Sequence, residues 1–434
     1  HRLLGWQGTR FKRNEENPLE TDFLVVDECS MLDISLTASL LRAVPVDTQV
    51  VFIGDYDQLP SVGAGNVLKD LISSGKTACF YLTKIFRQAA QSLIIKYAHE
   101  INAGKIPWIP SPFKYPEIWN NQSDCLFLDS DEATGEQIRF AAKVKAALGK
   151  GRTEPGSLPD MKPGCEALDH DELKASYEFR INERGSPYET AISIPEKFSH
   201  VDLDRILAAE TGVDELRAMV KRVHPWSSLN YGLSAVDVVK KLYLEWIPKY
   251  RGAGREIQIL SPMTRGSLGT INLNQIIQAA ANPPRRQKHE LKAGPRIFRV
   301  GDRVIHRKNN YNLGVFNGDI GTISDIDLIH FTCTVRFLPD KRQVVYQQSD
   351  IMELDLAYAV TIHKSQGSEF EVVIIPVLSQ HFKMLFRNLI YTGLTRAKKL
   401  AVFVGTRRAL GMAVANKDIA RRQTALKDLL KEKA

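Results

Sequence analysis

Phe23-Leu24-Val25-Val26-Asp27-Glu28 and Val50-Val51-Phe52-Ile53-Gly54-Asp55 are the two stretches on which the fold turns. Each is a short apolar run that ends in carboxylates. Such a run, with no polar alternation, reads as a buried strand of a parallel sheet. Between them, Ser30 followed three residues later by Asp33 is a helix-start signal. The helix it opens is expected to run to about Ala43, before Pro45. Strand, helix and strand on short connections form the unit of a doubly wound α/β sheet. In such sheets ligands lie beyond the carboxyl ends of the strands, where both acidic clusters fall.

Outward from this unit the texture changes. Gly149 to Pro163 is rich in Gly, Pro and charge and reads as a loop or linker, and Asp202 to Tyr250 has helical periodicity. From about Pro295 to Leu354 short alternating strands are separated by turn signals, Asn317-Gly318 and Gly321 among them, which predicts a small β-barrel. Val372 to Pro376 and Leu400 to Gly405 then resume the buried-strand pattern, so two α/β lobes are expected.

The chain has 434 residues, too many for one ordinary core. Hydrophobic content of 44% and charged content of 25% are those of a globular protein. The apolar runs are too short to span a bilayer, so no membrane role is expected. The five cysteines are scattered without a CxxC pair, which argues against a zinc site or disulfide framework and fits a reducing, cytoplasmic setting. The formal charge of +8 suits a polyanion, because each phosphate neutralised by Lys or Arg releases counterions.

Asp27 and Glu28 at a strand end are what nucleotide hydrolysis requires. The Asp holds Mg²⁺ and the Glu polarises the attacking water. Acidic residues also gather at strand ends for structural reasons, so the pair gains meaning from its neighbours. Asp55 and Gln58 lie at the end of the next strand, where a Gln reaches a γ-phosphate and reports whether it is present. Arg87, in Leu82-Thr83-Lys84-Ile85-Phe86-Arg87-Gln88, and Arg396, in Tyr391-Thr392-Gly393-Leu394-Thr395-Arg396-Ala397-Lys398, are isolated arginines from different regions. Converging on one triphosphate, they would stabilise the charge of phosphoryl transfer.

In order and wording these segments resemble the superfamily 1 helicases, and within them the RecD-like branch, with the exodeoxyribonuclease V alpha subunit and its stand-alone relatives. The likeness covers about residues 1–115 and 255–410. It rests on Asp27–Leu32, Gly54–Leu68, Phe86–Gln88, His363–Phe370 and Tyr391–Lys398. It implies an α/β fold of two RecA-like parallel-sheet motor lobes with an inserted SH3-like β-barrel. The first lobe is expected over 1–115, with a hairpin at about 6–18 that would meet the duplex junction. The second is expected over 116–296 and 353–434, with a helical insertion at about 150–254 and the barrel at 297–352. By the same resemblance Asp27 and Glu28 form the magnesium and water-activating pair, Gln58 senses the γ-phosphate, and Arg87 and Arg396 are the phosphate arginines. Gly367 and Glu369 would meet the nucleotide ribose. Single-stranded DNA would be gripped through phosphates and stacking. The expected contacts are His1, Arg2, Pro60, Ser61, Asn66, Thr264, Arg265, Asn309, Tyr311, Thr361, His363, Lys364 and Ser365.

The implied activity is ATP- and Mg²⁺-dependent movement on single-stranded DNA, 5′→3′, in recombination or repair, alone or with other subunits of an exonuclease V-type complex. Such a motor needs GxxxxGK[ST], whose N–H groups and lysine cradle phosphates. Gly75-Lys76-Thr77 is a decoy, because Asp70 stands where the first glycine belongs. The expectation is that the loop lies upstream of His1, that the chain is a fragment, and that it hydrolyses ATP poorly as it stands. Rival readings are the helicase part of a conjugative relaxase, a non-hydrolysing DNA-binding module, and a phosphate-transferring enzyme for a small molecule.

Overall fold

A computed structural model describes residues 1–82, 92–120, 123–130, 228, 233–286, 288–337, 340–417, 422 and 424–432, together with the strands 176–182 and 189–195. β1 (Phe23–Val26) pairs in parallel with β2 (Gln49–Phe52), in the register Phe23 to Gln49 and Val26 to Phe52. The helix Ile34–Arg42 connects them. It is capped by Asp33, whose carboxylate accepts from Leu36 N at 2.7 Å, and not by Ser30, which lies in a 3₁₀ turn over Cys29–Met31. Leu40 and Ala43 pack with Leu4 and Leu19 beneath this unit. Neither strand is buried on both faces as its composition suggested. Phe23 and Val25 are 53% and 50% exposed, with Val51 at 39%. The helix Val67–Ser74 follows and stops at Gly75, whose φ of 68° is the left-handed C-terminal cap. Gly75 thus ends a helix and opens no phosphate loop.

The larger core is a five-stranded parallel sheet. Its strands are β3 (Cys125–Asp129), β6 (Ile257–Ser261), β14 (Ala359–Thr361), β15 (Phe370–Val377) and β16 (Ala397–Gly405), in the order β14-β6-β15-β16-β3. Side chains alternate across a strand, and here the alternation divides one apolar sequence between two layers. Ile257, Ile259, Val372, Ile374, Val402 and Val404 face the helices Ala235–Lys241 and Thr270–Ala281. Val373, Ile375, Ala401 and Phe403 face the helices Leu93–Asn102, Arg387–Thr395 and Arg407–Ala415. Leu93–Asn102 therefore belongs with this sheet, although the sequence suggested a first lobe reaching 115.

Two further departures concern the region expected to be a helical insertion. β4 (Ser176–Asn182) and β5 (Glu189–Pro195) form an antiparallel pair within it, and the helix that is described there starts only at Ala235. Residues 201–227 lie outside the described residues.

The β-rich part is a hairpin of β7 (Glu290–Ala293) and β8 (Arg296–Arg299), followed by a five-stranded antiparallel sheet. That sheet holds β9 (Arg303–His306), β10 (Ile320–Asp327), β11 (Thr332–Phe337), β12 (Gln343–Tyr346) and β13 (Leu354–Leu356), ordered β12-β11-β10-β9-β13. A bulge between Ile323 and Asp325 bends β10. Gly318, at φ 101°, occupies a turn as expected. Gly321 does not: it lies in β10, where a Cβ would sit 2.7 Å from Val335 Cγ1. Asp302, fully buried, joins this sheet to the neighbouring lobe. It accepts from Arg299 N, Gln278 Nε2, Asn282 Nδ2 and Tyr358 Oη at 2.7, 2.5, 2.6 and 2.9 Å.

Near the start of the chain a small hairpin runs over Leu4–Arg13, with Lys12 N bonded to Gly5 O and Arg13 N to Leu4 O. Trp6 and Phe11 face each other across it, ring centroids 4.8 Å apart, with the His1 ring against both. Among the described residues no helix is long and apolar enough to cross a membrane.

Candidate active site

β1 delivers Asp27 and Glu28 at its carboxyl end. Glu28 takes φ 51°, a left-handed conformation that bulky L-residues avoid. Such strain costs about 1–3 kcal/mol and persists where the surroundings over-determine it. Here they do. Glu28 N donates to Asp27 Oδ1 at 2.7 Å, Met31 N donates to Glu28 O at 3.0 Å, and Cys29 N bonds to Ile53 O at 2.9 Å, fastening the turn to β2. Gly54 is required beside it, since a Cβ there would lie 2.9 Å from Cys29 Sγ.

Asp55 folds the loop after β2 by accepting from Asp57 N at 3.0 Å and from Gln58 Nε2 at 3.3 Å. The second lobe then closes on this loop. Arg396, 5% exposed at the end of the helix Arg387–Thr395, donates through Nη2 to Gln58 Oε1 at 3.1 Å and through Nη1 to Ser368 O at 3.3 Å. Its Nη1 also stands 4.0 Å from Glu28 Oε1. The same helix contributes Tyr391 Oη to Asp55 Oδ2 at 2.8 Å, Thr392 Oγ1 to Leu59 N at 2.9 Å and Asn388 Nδ2 to Asp57 O at 2.7 Å. Gln366 Nε2 reaches Leu59 O at 2.7 Å. Burial, with Asp55 beside it, pushes the Tyr391 phenol well up, so it stays a donor. Burial also raises the Asp57 carboxyl, opposed by the 2.5 Å bond from Asn102 Nδ2.

The structure thus brings Glu28, Gln58 and Arg396 together from distant parts of the sequence, with Asp27 and Asp55 adjoining. Arg87 lies outside the described residues. Glu369 is exposed and pairs with Lys398 at 3.0 Å, and Gly367 sits at φ 73° facing open space. Asn388, Gln366 and Asn102 were not singled out in the sequence. The first had a signal, because Asn388, Tyr391 and Thr392 repeat at helical spacing on one face ahead of Arg396.

An open cleft lies beside Gln58, lined by Ser30, Tyr56, Pro60, Asn66 and Lys69 among others. Ser30 Oγ and Arg396 Nε are buried with no hydrogen-bond partner among the described residues. Both suit a polar ligand. Among the described residues no group of three or more His, Cys, Asp or Glu side chains is placed to cage a metal. A carboxylate pair at an open strand end fits a cation held mainly by water and phosphate oxygens, as Mg²⁺ prefers.

The residues expected on a DNA track divide by availability. Thr264, Arg265 and Lys364 are exposed, and Pro60, Asn66, Thr361 and His363 partly so. His363 is pushed down by burial and is therefore neutral at ordinary pH. Ser61 and Ser365 are buried, and the Ser365 hydroxyl is spent on Ile362 O at 2.8 Å. Asn309 Oδ1 accepts from Asn317 N at 3.0 Å, so it shapes a turn, while Tyr311 is 41% exposed with its ring 6.0 Å from Phe316. Arg2 lies over the Phe316 ring at 5.1 Å, which sets the start of the chain against the barrel.

Comparison with known proteins gives three family models along the chain. Residues 1–111 match an AAA domain, 273–337 an ATP-dependent RecD-like DNA helicase SH3 domain, and 356–404 a UvrD-like helicase C-terminal domain. The ATP-dependent RecD2 DNA helicase of Deinococcus radiodurans is 28% identical over 430 residues, covering 98% of this chain and 42% of that protein. The RecBCD enzyme subunit RecD of Haemophilus influenzae is 26% identical over 436 residues, covering 100% of this chain and 58% of that protein. The chain thus spans about half the length of the curated relatives it matches. A Pif1 helicase from Bacteroides, solved with ADP-AlF3 and single-stranded DNA, aligns over 93% of this chain and 76% of its own at 15% identity and a TM-score of 0.41.

Proposed function

Because the chain belongs to the RecD-like superfamily 1 helicases, we propose that it forms the motor of an ATP-driven DNA helicase that travels along single-stranded DNA. The observation that carries this reading is the bond from Arg396 of one lobe to Gln58 of the other, beside Glu28. It is an arrangement in which one ligand between the lobes is touched by both.

In this reading ATP binds between the lobes with Mg²⁺, which supplies charge neutralisation for phosphoryl transfer. Asp27 holds the ion, and Glu28, at its strained turn, orients the attacking water. Arg396 and Arg87 stabilise the charge on the transferring phosphoryl group. Gln58 exchanges Arg396 for the γ-phosphate, so its bonding differs before and after hydrolysis. That exchange loosens the clamp of Tyr391, Thr392 and Asn388 on the Asp55–Leu59 loop and lets the lobes part. Gly367 and Glu369 flank the ribose.

His1, Arg2, Pro60, Asn66, Thr264, Arg265, Tyr311, Thr361, His363 and Lys364 face the strand, with Ser61, Ser365 and Asn309 shaping the loops that do so. Movement is 5′→3′ and the hairpin Leu4–Arg13 stands at the duplex junction. The protein works in the cytoplasm in recombination or repair, alone or beside the partners of an exonuclease V-type complex.

The test uses the intact gene product. ATP hydrolysis should be Mg²⁺-dependent and stimulated by single-stranded DNA, and a duplex with a 5′ tail should be unwound in preference to one with a 3′ tail. Hydrolysis indifferent to DNA would remove the helicase reading. Preference for the 3′ tail would remove the polarity alone.

A further inference from the structure

The loop Ser61–Gly65 joins Gln58, on the nucleotide side, to Asn66, on the side assigned to DNA. Arg422 sits inside its curl. Its Nη2 donates to Ser61 O at 2.6 Å, and its Nη1 reaches Gly63 O, Gly65 O and Ser61 Oγ at 2.7, 2.9 and 3.4 Å. Ile34 N takes the remaining inward carbonyl, that of Ala64, at 2.9 Å. The carbonyls converge because the chain bends at glycines. Gly65 has φ 96°, and a Cβ on Gly63 would lie 2.3 Å from Asp33 Oδ2. A planar guanidinium spans several such acceptors at once, which a lysine ammonium does not.

The segment bearing Arg422 follows the second lobe in sequence and is anchored on the first. Thr424 Oγ1 donates to the buried Asp70 at 2.9 Å, and the helix Leu426–Glu432 packs on the helix Val67–Ser74. Among the described residues no carboxylate pairs with Arg422. Its partners among the described residues are carbonyls and one hydroxyl, all of one loop.

We infer that Arg422 is a positioning residue that holds the Ser61–Gly65 loop in one shape, so that a change sensed at Gln58 is delivered to Pro60 and Asn66 as a change in grip on the strand. The inference rests on the helicase reading above. A loop stripped of Arg422 loses the donor to Ser61 O and Gly65 O, keeps on Gly63 O only the 3.2 Å bond from Ser61 Oγ, and has many shapes. Coupling between sites needs an element with discrete arrangements, and such a loop no longer supplies one.

The experiment measures binding of a fluorescent oligodeoxythymidylate to the intact protein, with and without a non-hydrolysable ATP analogue. The ratio of the two affinities is the coupling factor. In Arg422→Ala that factor should shrink about tenfold, the scale of losing a charge-assisted hydrogen-bond set. Thr424→Val loosens the anchor and keeps Arg422, so it should retain the native factor. A native factor in Arg422→Ala overturns the assignment. An equal loss in Thr424→Val also overturns it, because docking of the whole segment would then carry the effect. Should Arg422→Ala not fold, Arg422→Lys is read by the same criteria. Failure of the helicase reading shows separately, as native protein that does not bind the oligonucleotide.

Discussion

Removing one oxygen atom, in Tyr391→Phe, tests whether the two lobes work through the contact seen between them. The hydroxyl donates to Asp55 Oδ2 at 2.8 Å across the cleft, while the ring packs on the core of its own lobe. Phenylalanine keeps that packing. Among the described residues Asp55 then keeps only the local bonds from Asp57 N and Gln58 Nε2. A hydrogen bond to a charged acceptor is worth about 1.5–3 kcal/mol. Tyr391 is only partly buried, so water replaces some of the loss and the lower end applies. About 1.5 kcal/mol is about tenfold in the ratio of closed to open lobes. If turnover requires closure, kcat/KM for ATP with saturating single-stranded DNA should fall by about that factor. The melting temperature should stay at its native value, because the bond lies between lobes and not within a core. In a double-mutant cycle with Asp55→Asn, the second change should add little to the first. Native kcat/KM in Tyr391→Phe would refute the reasoning, since the contact would then play no part in the working closed state. Full additivity in the cycle would refute it too, because the two groups would then act apart.

Other outcomes follow from the same geometry. Glu28→Gln in the intact gene product should bind an ATP analogue normally and lose turnover by roughly 10²-fold or more, the range for general-base groups; retained turnover would transfer the water-activating role elsewhere. Asp302→Ala leaves four donors in a dry site and should cost about 4 kcal/mol in chemical denaturation; a cost within error of zero would show that the buried carboxylate does not fasten barrel to lobe. Burial pushes the His381 imidazole down to about 4, and it is 2% exposed, so the folded chain holds it neutral. The unfolded chain takes up the proton below its ordinary value of 6.5. Stability is therefore full above that value and lost as pH falls toward 4, by about 2 kcal/mol at about pH 5. His306 and His363, also held low by burial, add in the same direction. His381→Gln should flatten the acid-side fall in urea midpoints, and an unchanged slope would assign the loss to other groups.

Strands were the most legible part of this sequence, because the apolar runs over β2, β15 and β16 are unambiguous. Their burial was less so. β1 has the composition of a two-sided core strand, yet its exposure depends on what covers it, and composition does not encode neighbours. Ser30 and Asp33 compete for one helix start, and Asp33 wins because the left-handed Glu28 turns the chain into a 3₁₀ turn first. The helix Leu93–Asn102 falls within the span expected for the first lobe, because nothing in a sequence pattern says which sheet a helix will choose. Motif wording identified Gln58 and Arg396, whose side chains meet each other. It was silent on Arg422, whose partners are mainly carbonyls, because every residue has one and no sequence pattern marks them.

The barrel has two attachments of unequal strength. Toward the second lobe it is fixed by Asp302, a buried carboxylate with four donors drawn from both bodies. Toward the start of the chain it meets Arg2 across the Phe316 ring, an outward-facing contact worth about 0.5–1 kcal/mol. A body welded on one side and lightly latched on the other turns with the side it is welded to. The barrel therefore behaves as a lever on the second lobe. Its outer side near Phe316 and Tyr311 is then expected to move with the second lobe, past the Leu4–Arg13 hairpin.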